Sequence, residues 1–306
     1  MNKILIIGCG DIAMRVARLL QSRYRLFGLV RNLSHHTKLH SLKITPVVGD
    51  LDVRHSLSRI CGLADIILHF APPPNSGEFD SRTRNLLAML SQGKLPKKLI
   101  YISTSGVYGD CGGAVVSESS RLNSQSARAL RRVDAEFRIR NWGRRTHVNV
   151  SILRVPGIYA EDRLPLERLQ TGSPAIISTQ DSFTNHIHAC DLARIVVATI
   201  RYGMSTRVYN TSDDSQLQMG DYFDAVADAF QLPKPPRLPR EEVKKLVSPM
   251  LWSFMNESRR LTNLRMKQEL RVRLKYPTVA DTLSTLTLKY LSTPQSGNDR
   301  PTPKVT

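Results

Sequence analysis

The sequence has few cysteines and no long apolar run. Its four cysteines, Cys9, Cys61, Cys111 and Cys190, lie far apart and form no C-x-x-C pair. This spacing is not typical of zinc sites or disulfide frameworks, so we expect no bound metal and reduced thiols. No stretch approaches the roughly 18 apolar residues of a membrane span, and the apolar run near the N-terminus is too short for a secretory leader. We expect a cytoplasmic protein with no membrane partner.

Acidic residues are outnumbered by basic ones. The chain has 44 Lys and Arg residues against 26 Asp and Glu residues, a formal net charge of +18. Such an excess favours anionic partners such as nucleotides or nucleic acid. The basic residues are spread along the chain without a dense run, which is equally typical of a solvated surface. A nucleic-acid partner rests on charge alone, and we do not expect one.

Short apolar runs alternate with helix-like stretches through the first half of the chain. The strand-like runs are 3–7, 25–30, 44–48, 64–70, 98–103 and 148–155. The helix-like stretches are 11–22, 80–92 and 124–141. This order predicts an α/β fold with a doubly wound parallel sheet and helices on both of its faces.

The second half is less regular and richer in proline. One segment, 186–212, returns to the earlier pattern of a helix followed by a strand. We therefore expect residues 1–154 plus 186–212 to form the sheet domain. Residues 155–185 plus 213–291 are predicted to form a smaller, mostly helical C-terminal lobe. The polar segment 292–306 has the Pro, Ser and Gly content of a disordered tail.

A glycine-rich turn follows the first strand-like run. The GCGDIA segment of residues 8–13 leads directly into a helix. One glycine permits a positive φ, the second lets the backbone approach a pyrophosphate, and the small alanine allows close packing of the helix. An anion at the helix N-terminus would be stabilised by free N–H groups and by the helix dipole. The alternative is a β–α turn without a ligand. In its strand–turn–helix context the segment predicts a Rossmann-type dinucleotide site that includes Gly8, Gly10, Asp11 and Ile12.

The end of the second strand-like run lacks an acidic residue. NAD sites place Asp or Glu about 20 positions after the glycines, where it binds the ribose 2′-hydroxyl. Here the strand ends at Val30, and Arg31 and Asn32 follow. A guanidinium group matches the geometry of a 2′-phosphate, although an arginine here could also be merely solvated. The sequence favours NADP(H) over NAD(H).

Several further segments match one protein family in order along the chain. They are residues 8–13, 49–51 (GDL), 69–71 (HFA), 102–110 (ISTSGVYGD), 153–159 (LRVPGIY) and 185–193 (NHIHACDLA). Together they resemble the extended short-chain dehydrogenase/reductases, the NAD(P)-dependent epimerase/dehydratase family, over roughly residues 1–290. Residues 258–260 (SRR) and 276–278 (YPT) are similar to an atypical subgroup.

The resemblance implies cofactor roles for matched residues. Asp50 would bond the adenine amino group, with Leu51 beside it. Ala71 would line the path of the ribose and pyrophosphate. Ser103 would lie near the nicotinamide ribose, and Pro156 would sit against the nicotinamide.

The resemblance also implies a catalytic Tyr and Lys on the helix after the serine strand, with a Glu four residues beyond the Lys. Glu136 matches that Glu, which places Arg132 at the Lys position and Arg128 at the Tyr position. An arginine keeps its proton at any working pH, so Arg128 cannot be the acid/base, whereas Arg132 could still hold the cofactor's ribose. Ser105 matches the serine that polarises the substrate. Asp80 could act as a base if burial raised its pKa.

Two functions remain open from the sequence. The first is an NAD(P)-dependent oxidoreductase or epimerase-like enzyme that acts on a hydroxyl or carbonyl of a small molecule, and the retained Ser105 favours it. The second is a catalytically silent NADP(H)-binding redox sensor or regulatory protein, and the replaced Tyr favours it. Turnover with a carbonyl substrate would separate the two.

Overall fold

A parallel sheet forms the centre of the computed structural model, which describes residues 1–32 and 36–292. The strands are β1 (Lys3–Ile7), β2 (Arg25–Val30), β3 (Ile44–Val48), β4 (Ile66–His69), β5 (Lys98–Thr104), β6 (Val115–Val116), β7 (Asn149–Val155), β8 (Gly157–Tyr159), β9 (Ala175–Ile176), β10 (His186–His188), β11 (Arg207–Asn210), β12 (Arg237–Leu238) and β13 (Arg260–Leu261). Seven of them form the central sheet in the order β11-β7-β5-β4-β1-β2-β3, with every neighbouring pair parallel. The predicted doubly wound sheet is confirmed. Its strand order reverses between β1 and β4, which opens a crevice at the carboxyl ends of the strands.

Helices cover both faces of the sheet. The α-helices of the described residues, including those away from the sheet, are α1 (Asp11–Leu20), α2 (His36–Ser41), α3 (Ser81–Leu90), α4 (Ala127–Thr146), α5 (Leu166–Gln170), α6 (Ala189–Tyr202), α7 (Met219–Ala229), α8 (Arg240–Leu246), α9 (Pro249–Met255), α10 (Leu264–Glu269) and α11 (Val279–Ser292). Helices α1 and α6 pack together on one face, and α3 and α4 pack together on the other. In the part of the chain that the structure describes, no helix combines the length and apolar character needed to cross a membrane.

Short elements surround the carboxyl edge of the sheet. Parallel pairs form between β8 and β10, between β9 and β12, and between β6 and β13. The segment 186–212 contributes β10, α6 and β11, and β11 extends the central sheet beside β7. Helices α5 and α7 to α11 supply most of the remaining structure. Apart from Ser292, the predicted tail 292–306 lies outside the described residues.

Helix α4 exposes part of its apolar side. Leu130 and Phe137, which the sequence pattern groups on one face, are 48% and 65% exposed. The side that faces the sheet buries Ile139 and Trp142, but also the charged Glu136. An apolar stripe therefore does not mark the packed side of this helix, because polar contacts hold part of that side to the sheet.

A buried ion pair holds α4 against the sheet. Arg154 of β7 donates from Nε to Glu136 Oε1 at 3.1 Å and from Nη2 to Oε2 at 2.8 Å. Both side chains are 2% exposed. Arg154 Nη1 also donates to the Tyr108 hydroxyl at 2.9 Å. Because buried charges are tolerated only when they are paired and hydrogen-bonded, these contacts fix the position of α4 along the sheet.

Candidate functional site

Two glycines shape the turn between β1 and α1. Gly8 has a φ of +95°, and a Cβ on it would lie 2.6 Å from the backbone nitrogen of Ala71. Gly10 precedes α1 without a side-chain cap, and a Cβ on it would meet open space. The first-turn N–H groups of α1 have no acceptor within the helix, so an anion can bind them. The turn therefore fits the pyrophosphate of a dinucleotide.

A first cleft of about 510 Å³ opens at the carboxyl ends of β1, β2, β3 and β4. The predicted cofactor residues in its lining are Gly8, Arg31, Asp50, Leu51 and Ala71. They follow four different strands, and the parallel register brings these strand ends to one edge of the sheet. The volume lies within the range of about 300–1,000 Å³ that is typical of ligand sites.

Arg82 adds a second arginine to the first cleft. Its Nε and Nη2 donate to the two carboxylate oxygens of Asp52 at 2.8 and 2.7 Å. These hydrogen bonds lower the pKa of Asp52 against a smaller opposing effect of burial, and the charge of Arg31 acts in the same direction. Both arginines thus act on one carboxylate at this end of the cleft, where the carboxylate of Asp50 also acts on Arg82.

Asp11 and Ile12 begin α1 beside the glycine turn. Asp11 pairs with Arg15 at 2.9 Å and lies 3.6 Å from Arg163. Ile12 is buried in the core beneath the helix. Both side chains therefore make contacts within the protein and are not available to a ligand. Their backbone N–H groups belong to the first turn of α1, have no acceptor within the helix, and can bind a ligand.

A second cleft of about 240 Å³ lies at the carboxyl ends of β5 and β7. Ser105 and Pro156 line it from the sheet side, and Arg128 lines it from the first turn of α4. Phe254 and Arg259, from the second half of the chain, form the opposite wall. The second cleft therefore combines the predicted polarising serine, the predicted nicotinamide contact and the arginine at the Tyr position.

The two arginines of α4 have different surroundings. Arg132 Nη1 donates to the Ile102 carbonyl oxygen at 2.6 Å and to the Tyr101 hydroxyl at 3.0 Å, which ties it to β5. Arg128 is exposed, and its guanidinium carbon lies 4.4 Å from the centroid of the Phe254 ring. The face of α4 that carries both arginines is therefore directed toward the crevice at the sheet edge.

The cysteines carry free thiols. Burial raises the pKa of Cys9 to about 11, so this residue next to the glycine turn is a neutral thiol at neutral pH. Among residues 1–32 and 36–292, no group of three or more His, Cys, Asp or Glu side chains could hold a metal ion.

Comparisons with known proteins agree with this architecture. A model of the NAD dependent epimerase/dehydratase family matches residues 4–211, which is more than half of the chain. The chain belongs to this family. A solved structure of a functionally unknown conserved protein from Silicibacter pomeroyi DSS is 27% identical to it. That similarity covers 95% of this chain and 99% of the other, with a TM-score of 0.77.

Two more distant structures share the fold of this epimerase/dehydratase family member. UDP-glucuronic acid 4-epimerase from Bacillus cereus, in complex with NAD, is 18% identical with a TM-score of 0.73, over 95% of this chain and 100% of its own. The dTDP-glucose 4,6-dehydratase from Bacillus anthracis str. Ames, in complex with NAD, is 16% identical with a TM-score of 0.76, over 95% and 97%. Comparison with curated proteins gave no match.

Asp80 has a structural contact in this family member. It caps α3, where its oxygens accept hydrogen bonds from the backbone N–H of Thr83 at 3.0 Å and from the Thr83 hydroxyl at 2.7 Å. Burial raises the pKa of Asp80, as the hypothesis of a catalytic base requires. Its side chain is nevertheless only 1% exposed, so a substrate cannot reach it. The geometry assigns Asp80 to a helix cap rather than to proton transfer.

Ser103 also differs from its predicted position. Its hydroxyl donates to Glu136 Oε1 at 2.7 Å, and the residue is 2% exposed. Ser103 lies within β5, whereas Ser105 begins the short 3₁₀ helix Ser105–Tyr108 that follows the strand, so the two serines have different surroundings. Ser105 lines the second cleft, whereas Ser103 belongs to the buried ion pair of α4.

Sequence reasoning missed several residues that line the two clefts. Four with side chains of interest for binding are Arg82 in the first cleft and Phe254, Glu257 and Arg259 in the second. Arg259 lies in the SRR segment that resembles the atypical subgroup, but the resemblance did not imply a function for Arg259. The other three have no local pattern that sets them apart, because only the tertiary fold brings them to the sheet edge.

Proposed function

We propose that this protein is an NADP(H)-dependent oxidoreductase of the epimerase/dehydratase family whose cofactor spans the first and second clefts. The observation that carries the proposal is the placement of Gly8, Arg31, Asp50, Leu51 and Ala71 around one cleft beside the N-terminus of α1. Membership of the family supports a nicotinamide cofactor. The similar fold of the Bacillus cereus epimerase, which was solved with NAD, supports the same class of cofactor.

The cofactor would be held mainly by backbone and by residues at strand ends. The N–H groups at Asp11 and Ile12 would bind the pyrophosphate, and Gly8 would let it approach β1. Asp50 would accept a hydrogen bond from the adenine amino group. Arg132 would bind the nicotinamide ribose through nitrogens that it does not use on β5. When bound, the cofactor supplies or accepts a hydride.

The preference for NADP(H) rests on the arginines of the first cleft. Arg31 follows β2, at the position where an acidic residue would bind the 2′-hydroxyl of NAD. Arg82 and Arg31 both lower the pKa of Asp52, so both guanidinium groups lie near that carboxylate. A 2′-phosphate would accept hydrogen bonds from the guanidinium group of Arg31, whose geometry matches it.

The substrate would bind in the second cleft with its hydroxyl or carbonyl against Ser105. The Ser105 hydroxyl would donate a hydrogen bond to the substrate oxygen, and Pro156 would pack against the nicotinamide. Arg128 cannot exchange a proton. The proton that accompanies hydride transfer would therefore pass to or from water at the mouth of the cleft.

The alternative is an NADP(H)-binding protein without turnover. The specific observation in its favour is that neither Arg128 nor the buried Asp80 can serve as an acid/base in the cleft. Oxidation of NADPH in the presence of a panel of small carbonyl compounds would support the enzyme. Tight NADPH binding without turnover of any of them would support the sensor.

Binding of NADP(H) is expected to stabilise the protein against heat. A ligand at about 100 times its dissociation constant adds about 2.7 kcal/mol to the free energy of unfolding. We expect NADP(H) to raise the melting temperature more than NAD(H) at fixed salt. The Arg31→Ala variant should weaken NADP(H) binding roughly tenfold, since an exposed charge-assisted contact is lost, and leave NAD(H) binding nearly unchanged.

Arg59→Ala is the matched control for this measurement. Arg59 is exposed on the short helix Arg54–Ile60 and is not part of the cleft lining, so its removal changes the net charge alone. An equal loss of NADP(H) affinity in both variants would point to a general charge effect. No shift with either cofactor would refute the cofactor site itself.

Removal of the Ser105 hydroxyl is expected to abolish most turnover. A hydrogen-bond donor aimed at a reacting oxygen contributes about a hundred- to thousandfold to the rate, so Ser105→Ala should lose about that much in kcat while its NADP(H) affinity stays the same. Ser103→Ala is the control, because its hydroxyl faces Glu136. That control should lower thermal stability and retain turnover. Unchanged turnover in Ser105→Ala would remove Ser105 from the mechanism.

A further inference from the structure

The second cleft carries an excess of positive charge. Its charged lining consists of Arg128, Arg259 and the acidic residue Glu257, within the part of the chain that is described. Glu257 accepts a hydrogen bond from Arg259 Nη1 at 2.7 Å, and both side chains are largely buried. Arg259 is therefore directly paired inside the protein, whereas Glu257 acts on Arg128 only through its charge and without a direct contact.

Arg128 forms no ion pair and no hydrogen bond through its side chain among residues 1–32 and 36–292. Its guanidinium carbon lies 4.4 Å from the centroid of the Phe254 ring, a cation–π contact that is not a hydrogen bond to an oxygen acceptor. Partial burial and then the charge of Arg132, one turn away on α4, lower the pKa of Arg128, and the charge of Glu257 opposes them with a smaller effect. Like charges four residues apart destabilise a helix, so an anion beside Arg128 would relieve a repulsion that Glu257 offsets only in part.

The N-terminus of α4 strengthens the field at the same place. Ser126, Arg128 and Ala129 line the cleft at the start of this helix. The Ser126 hydroxyl accepts a hydrogen bond from the Ala129 N–H at 3.3 Å, which satisfies one of the free donors of the first turn. The remaining donors and the positive end of the helix dipole favour a negative ligand at this position.

The size of the second cleft restricts the ligand. At about 240 Å³, it lies below the roughly 300–1,000 Å³ of sites for drug-sized molecules. It suits a small molecule that places one group at Ser105 and another at Arg128.

We propose that Arg128 binds the oxyanion, a carboxylate or a phosphate, of a small substrate and that the second cleft selects its substrate by this charge. The planar guanidinium fork matches either oxyanion. This inference rests on the proposed function, because the same cleft would hold the reacting hydroxyl or carbonyl at Ser105. Arg128, which stands at the position of the family's catalytic Tyr, would then bind substrate instead of transferring a proton. This role explains why an arginine is useful at that position.

The test is a calorimetric titration with and without NADP⁺ at fixed ionic strength. The probes are lactate and glycerol 3-phosphate, with neutral lactamide and glycerol as their counterparts. We expect one of the anions to bind at least tenfold more tightly than its neutral counterpart. Arg128→Met should weaken that binding about ten- to hundredfold. Arg121→Met, which removes an exposed arginine outside the cleft lining, should change it by less than about twofold.

Each outcome decides between the alternatives. A preference for lactate over lactamide identifies a carboxylate as the ligand group, and a preference for glycerol 3-phosphate over glycerol identifies a phosphate. Either preference supports the proposal if it is lost in Arg128→Met. Equal binding of charged and neutral probes, or equal losses in the Arg128 and Arg121 variants, would overturn it. If NADP⁺ binds but no anion is selected, only this inference fails. If an anion is selected through Arg128 but NADP⁺ does not bind, only the cofactor proposal fails.

Discussion

Replacement of Arg154 with methionine is expected to lower the free energy of unfolding by about 3–5 kcal/mol, the usual cost of removing one partner from a buried ion pair. Arg154 donates two hydrogen bonds to Glu136 and one to Tyr108, and it is 2% exposed. Methionine would fill much of the space but leave the buried Glu136 carboxylate paired only with Arg140, whose side chain is 29% exposed. Urea denaturation followed by circular dichroism would measure the loss.

Arg138→Met is the control on the same helix. Arg138 pairs with Asp134 at 2.7 Å, but its side chain is 31% exposed. Water already screens such a pair, so its removal should cost no more than about 1 kcal/mol. Similar losses in the two variants would mean that burial of the Arg154–Glu136 pair does not determine its contribution.

Replacement of Gly8 with alanine is expected to destabilise the fold by about 2–5 kcal/mol. A left-handed backbone conformation costs a non-glycine residue about 1–2 kcal/mol. The new Cβ would also lie 2.6 Å from the Ala71 nitrogen, and the shift needed to relieve that clash adds about 1–3 kcal/mol. The same movement of β1 would distort the cofactor turn, so NADP(H) affinity should fall with stability.

Substitutions at two other glycines distinguish the backbone cost of a positive φ from the cost of the clash with Ala71. Gly77 has a φ of +85°, and a Cβ on it would meet no other atom within 4 Å, so Gly77→Ala should show the backbone cost alone, about 1–2 kcal/mol. Gly10 has a negative φ and open space, so Gly10→Ala should cost only the difference between glycine and alanine at an N-cap, about 1 kcal/mol or less, and weaken NADP(H) binding. Equal unfolding energies for Gly8→Ala and Gly77→Ala would show that the contact with Ala71 relaxes without cost.

The strands of the sheet were predictable because parallel strands are buried on both faces and read as continuous apolar runs. The strand predicted at 44–48 matches β3, and the segment 25–30 matches β2. The packed side of helix α4 was harder to predict from the sequence, because it includes Arg131 and Glu136 while Leu130 and Phe137 face outward. A pattern of apolar residues cannot reveal that side, since the partners of the buried charges come from other elements.

The first cleft was more predictable than the second for a physical reason. Its residues follow strand ends, and parallel register brings strand ends together regardless of what the loops do. Arg82 and Arg259 line their clefts because of tertiary packing. The spacing of residues along the sequence does not indicate such packing. For Asp80, burial raises the pKa as expected. An aspartate directly before a helix is also a preferred N-cap, and the structure follows that signal.

The buried contacts of Glu136 have an evolutionary consequence. They fix the register of α4 through atoms that lie behind the sheet edge, whereas positions 128 and 132 place their side chains at the crevice. A substitution at position 132 removes the hydrogen bonds of Arg132 to β5, whereas one at position 128 leaves every contact that holds the helix in place. Position 128 can therefore carry either a proton-transferring side chain or the anion-binding arginine that we propose, on the same scaffold.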